Sequence, residues 1–170
     1  MIFICRSEFD CNASKLFDFH AGPEGFLSLV GNSKKAEIIS PPPSLEPGSK
    51  AVVRVKIFPG ISFCWVALHT ELDPGKRFVD IQESGPFSKF KHEHFFIQTG
   101  KNSSILEDRI TCIPPWYTNH FLFEFILEKI MKSEFHARHK ITASQIGCNY
   151  RTEFCGKIKS AISENLIFFK

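Results

Sequence analysis

The sequence predicts an α+β fold: a strongly curved antiparallel sheet of about six to seven strands wrapped on a long C-terminal helix, with two short helices after the first strand. Three observations carry this expectation. Residues 35–113 divide into short apolar-rich runs at even spacing, each bounded by turn residues. Between Phe121 and Met131 eight of eleven residues are apolar, a wider arc than an ordinary amphipathic surface helix shows. Two short helix-like segments are crowded between Asp10 and Gly31. The order β-α-α-(β)n-α leaves one long helix to fill the concave face of the sheet.

Residues 2–9 alternate as a strand, with Phe3 and Cys5 on one face and Ile2 and Ile4 on the other. Asn12 or Asp10 can cap a helix that runs through Phe19. Gly22-Pro23 breaks it, and Pro23 suits the first turn of a second short helix closed by Gly31. The strand AEIIS follows, then the turn-rich Pro41-Pro42-Pro43 and Pro47-Gly48. Further strands are expected over 49–58, 62–72, 77–83, 89–98 and 104–113. Pro59-Gly60, Asp73-Pro74-Gly75, Gly85-Pro86 and Thr99 to Asn102 supply the turns between them. A helix then starts near Thr118 or Asn119 and runs to about Lys140; its apolar first half must be enclosed. Residues 1–140 thus form one domain, and 141–170 read as a C-terminal extension. There Phe154, Ile158, Ala161, Ile162 and Leu166 share the spacing of an additional helix, which could pack on the domain or mediate a homodimer.

Composition narrows the function classes. Nineteen Phe against two Tyr and two Trp suit a greasy interior, and a lined cavity and a solid core fit that bias equally. The net charge of +3 arises from 21 basic and 18 acidic residues with no basic stripe, which argues against nucleic acid as a partner. Six cysteines without C-x-x-C pairs or zinc spacing read as reduced thiols, with Cys64 and Cys112 as small buried residues. The N-terminus lacks a secretory signal and no apolar run reaches bilayer length, so a cytoplasmic chain without stable membrane insertion is expected.

Side chains alternate across a strand, so period-two bookkeeping sorts the candidate site. Phe78, Asp80 and Gln82 share a face; so do Phe90, His92, His94 and Phe96; so do Leu106, Asp108, Ile110 and Cys112. Phe63, Trp65, Ala67, His69 and Glu71 form a fourth set. With these sets turned toward the helix, the interior is apolar but studded with carboxylates and imidazoles.

The spacing F-V-D-x-Q-x-x-G-P-F-x-x-F-x-H-x-H-x-F from Phe78 to Phe96, followed by Asp108-Arg109-Ile110, resembles the SRPBCC superfamily, the START-related group of polyketide cyclase/dehydrase-like and lipid-binding proteins. Leu16 to Pro23, Trp65 and Phe135 to His139 extend the resemblance over roughly residues 1–140. Phe90 stands where the group often has Trp, and Cys112 lies near a usual Tyr position. The resemblance implies a helix-grip fold with a hydrophobic cavity between sheet and C-terminal helix, and no single activity.

The expected partner is therefore a hydrophobic or amphipathic small molecule, lipid- or polyketide-like. Its contacts would be Phe63, Trp65, His69, Phe78, Gln82, Phe90, Phe96 and Ile110 from the sheet and Phe123, Ile126, Leu127 and Ile130 from the helix. Asp80, Asp108, His92 and His94 could form a satisfied structural network, hold the polar end of the ligand, or act as acid–base catalysts of a cyclase or dehydratase. Binding ranks above catalysis. No cofactor is assigned, and no metal, since H-x-H on a strand has many structural uses. Arg138 or His139, near the helix C-terminus, could reach Asp108.

Overall fold

Strand β1 (Ile2–Phe9) shows the expected alternation, with Phe3, Cys5, Ser7 and Phe9 fully buried. The computed structural model describes residues 1–33, 35–58 and 60–158. Helix α1 (Ala13–Ala21) follows, with Asn12 at its N-cap position. The Asn12 side chain makes no capping bond; the Ala13 N–H instead donates to Gln98 Oε1 at 2.7 Å. Helix α2 (Pro23–Gly31) starts at once, with Pro23 in its first turn. A side chain at Gly25 would meet the Phe19 carbonyl oxygen at 1.9 Å, so only glycine lets the two helices abut there.

The remaining strands are β2 (Ala36–Ser40), β3 (Lys50–Phe58), β4 (Ile61–Asp73), β5 (Arg77–Ser84), β6 (Lys89–Gly100), β7 (Ser103–Ile113) and β8 (Tyr150–Ile158). They form one antiparallel sheet in the order β2-β3-β4-β5-β6-β7-β1-β8. Between β7 and β8 runs helix α3 (His120–Ile146), 27 residues long. The Asn119 side chain accepts from the Leu122 N–H at 3.2 Å and caps its start. The helix passes Lys140 and stops at Gly147, whose left-handed backbone (φ 63°) suits glycine. This is the α+β helix-grip arrangement, with two short helices after β1 and a long helix on a curved sheet.

Two expectations change. The stretch 150–158 is a strand rather than a helix, because β1 offers it an open edge: Cys5 pairs with Cys155, and Arg6 and Glu8 meet Glu153 and Arg151 in ion pairs. Asp10 fixes the approach by accepting from both the backbone and side-chain N–H groups of Asn149. Ala161, Ile162 and Leu166, the other positions assigned to that helix, lie outside the described residues. Cys64, expected buried, is exposed near the start of β4.

The core has two parts. One gathers Phe9, Leu16, Phe78, Phe96, Leu106 and Ala143 beneath α1 and the end of α3. The other gathers Phe3, Cys5, Ile110, Cys112, Met131 and Phe135 beneath the middle of α3. Among the described residues no helix is long and apolar enough to cross a membrane.

Candidate functional site

Between the two core clusters lies a polar seam that crosses the sheet diagonally. Five of the eight strands give it one or two side chains: Asp80 from β5, His92 and His94 from β6, Asp108 from β7, Ser7 from β1 and Thr152 from β8. Unbroken register from β5 to β7 places Asp80 opposite His92 and His94 opposite Asp108, and Ser7 pairs with Thr152 two residues along β1 from Cys5, the partner of Asp108. The alternation read from the sequence therefore holds through β5, β6 and β7, and the four acid–base candidates meet. His139 of α3 closes the seam from above.

Asp108 is its hub. One carboxylate oxygen accepts from His92 Nε2 at 2.9 Å, and the other accepts from His139 Nε2 at 2.8 Å. His94 Nδ1 also stands 2.9 Å from the first oxygen, at an angle that makes it an ionic contact rather than a hydrogen bond. His94 Nε2 reaches Asp80 at 3.2 Å, and His92 Nδ1 lies 3.7 Å from the same Asp80 oxygen. His139 Nδ1 bonds Ser7 Oγ at 2.7 Å, and Ser7 contacts Thr152 at 3.2 Å. The rings stack as a column: Phe78 on His94 at 3.9 Å, His94 on His92 at 3.7 Å, then Phe135 edge-on to His92 at 5.3 Å.

Burial and charge oppose each other here. Burial alone would raise the Asp108 pKa, but the three histidines outweigh it and hold that carboxyl well below its ordinary value. Asp80 is lowered in the same way, burial being outweighed chiefly by the bond to His94. Burial disfavours a charged His94, yet its contacts with Asp108 and Asp80 win and raise its pKa. His92 moves the other way, lowered by burial and then by the neighbouring His94. Two imidazoles stacked this closely divide the work: one favours the cation and the other the neutral ring. Burial pushes His20, on α1 with its ring 6.5 Å from His94, down to about 4.

The other predicted contacts fall into two groups. Phe78, Phe96 and Ile110 are packed in the core, and His69 is buried beside Phe78 with its Nδ1 unpartnered. The Gln82 amide is used at both ends by the Phe87 backbone, where it holds the Gly85-Pro86 turn. Toward the other end of the sheet the side chains open to solvent. Trp65 meets Phe90 and Phe87 edge-on at 4.7 and 5.5 Å, and Phe87 meets Phe123 of α3 at 5.9 Å. Around this aromatic floor Phe63 is 38% exposed on β4, and Leu122, Ile126 and Ile130 are 55, 49 and 39% exposed on α3, while Leu127 is half-buried. The apolar first half of α3 is thus enclosed on one side only, because the helix packs over β1 and β8.

The sequence pattern gave no site role to Ser7 or Thr152, nor to His20 and Phe87, although these two lie within stretches that carry the resemblance. Ser7 carried a usable signal, the one polar residue on the face that Phe3, Cys5 and Phe9 define. Among the described residues, Asp80, His92 and His94 each place a donor atom within 4.8 Å of the others, close enough to share a metal ion.

Solved structures share this architecture. An HSP90 activator from Plasmodium falciparum superimposes with a TM-score of 0.62 at 18% identity, over 89% of this chain and 99% of that one. A START superfamily protein from Mycobacterium smegmatis does so with a TM-score of 0.61 at 11% identity, over 85% and 97%. Norcoclaurine synthase from Thalictrum flavum, solved with dopamine and hydroxybenzaldehyde, gives 0.59 at 15% identity over 86% of each chain. At these identities the likeness is one of fold, the START-like helix-grip fold that the sequence resemblance implied. No protein-family model matches the sequence, and no curated protein does.

Proposed function

We propose that the chain binds a hydrophobic or amphipathic small molecule in the cleft between β4, the β5–β6 turn and the first half of α3. The observation that carries this reading is the apolar lining left open on both walls: Phe63 on the sheet, Leu122, Ile126 and Ile130 on the helix, around Trp65, Phe90 and Phe123. Covering such surface is worth about 25 cal/mol per Å2, so a greasy ligand gains what the fold leaves unclaimed. The same fold holds two aromatic compounds in the Thalictrum enzyme, which supports the reading by analogy.

Binding is favoured over cyclase or dehydratase chemistry by the state of the polar residues. His92 and His94 turn their ring nitrogens to Asp80 and Asp108, and Phe78 and Phe135 cover the ring faces. Native mass spectrometry and solvent extraction of the purified protein test the proposal. An apolar compound should co-purify, and the Phe63→Ser/Ile126→Ser double variant should lose it while remaining folded. No extracted compound, together with no uptake of fatty acids or apolar fluorescent probes, would overturn it.

A further inference from the structure

We infer that Asp80, His92 and His94 bind a divalent first-row transition ion, with Asp108 as the outer carboxylate that orients both imidazoles. The sequence alone assigned no metal, because H-x-H on a strand has many structural uses even with His69, Asp80 or Asp108 opposite. Strand register brings Asp80 to the pair. Asp80 Oδ2 lies 3.2 Å from His94 Nε2 and 3.7 Å from His92 Nδ1. Metal–ligand bonds of about 2.0–2.1 Å at tetrahedral angles set donor atoms roughly 3.3 Å apart, so small side-chain adjustments admit zinc.

The remote nitrogens give the second, independent observation. His92 Nε2 and His94 Nδ1 both stand 2.9 Å from Asp108 Oδ1. Metal-ligating histidines almost always turn their other ring nitrogen to a carboxylate or carbonyl, which fixes tautomer and ring orientation. Asp108 is itself fixed by His139. His94 Nδ1 is buried and without a hydrogen-bond partner despite that contact. A closed ion-pair network accounts for one such ring. Here two neighbouring rings turn the same way between the same two carboxylates, Asp80 on one side and Asp108 on the other.

The scaffold also suits a metal. The donors sit on the adjacent strands β5 and β6, with no bulge in the paired stretch, and Phe78 and Phe135 hold the rings from either side. A dication would balance the charge of Asp80 and the buried Asp108, and two imidazoles with one carboxylate are a donor set that zinc and its neighbours accept. The site is separate from the apolar cleft and does not depend on the ligand proposed there.

Zinc titration by calorimetry, with metal content by mass spectrometry, tests this on the full chain. About one zinc per chain is expected in the wild type. Asp80→Asn and His94→Gln should lose it, Asp108→Asn should weaken it about 10–100-fold, and Cys148→Ser and Cys155→Ser should leave it unchanged. Circular dichroism checks that each variant folds. Where a seam variant does not fold, X-ray absorption of the zinc- or cobalt-loaded wild type decides: a nitrogen and oxygen shell supports the site, and a sulfur shell overturns it. Failure of the wild type to retain zinc or cobalt, or retention undiminished in folded Asp80→Asn, also overturns it.

Discussion

The two halves of α3 are buried in inverse order to their greasiness. The first half, Phe121 to Ile130, is the more apolar, yet Phe121, Leu122, Phe125, Ile126 and Ile130 all stay exposed. The second half carries Glu134, His136, Arg138, His139 and Lys140, yet it buries Phe135, His139, Thr142 and Ala143 against the sheet and α1. Position, not composition, decides which residues are covered, since the second half lies over the closed end of the fold. What the buried half lacks in apolar character it recovers through the Asp108 seam. Stability is therefore vested in one half of the helix, and apolar surface is held in reserve on the other.

The largest break in that contrast should come from Asp108→Ala. Removing the hub strips His92 and His139 of their acceptor and leaves His94 without its closest carboxylate contact, and truncating one partner of a buried network costs about 3–5 kcal/mol. Urea unfolding should show a loss of that size.

Acid should act next, and chiefly through the closed half. His20 is buried near Asp108, His94 and His139, donates from Nδ1 to the Leu16 carbonyl, and has its pKa lowered from 6.5 to about 4 by burial. The unfolded chain thus binds that proton more tightly. The His20 contribution is complete above pH 6.5 and is lost as pH falls toward 4, about 3 kcal/mol in all. Urea midpoints measured across that window should fall less steeply in His20→Leu than in the wild type. Parallel curves would remove His20 as the cause.

The smallest effect sharpens the contrast from the open side. Ile126→Ser should change the urea midpoint by no more than about 0.5 kcal/mol, as surface substitutions do. The same variant should lower the uptake of an apolar fluorescent probe. A large stability loss would mean that Ile126 belongs to the core.

Much of the fold could be read from the sequence because its signals are local. Gly85-Pro86 and Asp73-Pro74-Gly75 mark turns by backbone preference, and the alternation Phe90-His92-His94-Phe96 assigns a face without knowledge of any partner strand. What escaped was set by distant partners. Phe154 and Ile158 carry helical spacing, but strand formation at 150–158 depends on the edge of β1 and on Arg6 and Glu8, more than 140 residues away in sequence. Nothing within Leu16 to Pro23 marks His20 as a neighbour of the seam, and Thr152 sits in no motif; the packing of α1 and the strand order bring them there. The exposure of Ile126 likewise depends on where α3 crosses the sheet, which no helix-face pattern encodes.

The pairing of β8 with β1 has a kinetic side. Strand β1, made first, ends between β7 and β8, so its neighbours are the strands made last before and after α3. Hydrogen bonds on both its edges must wait until Ile158 has left the ribosome, and such long-range closure slows folding. A nascent chain paused before residue 150 would present β1 with one naked edge, a template for another such chain. Arg6 and Glu8, charges set along that edge, guard it during the wait.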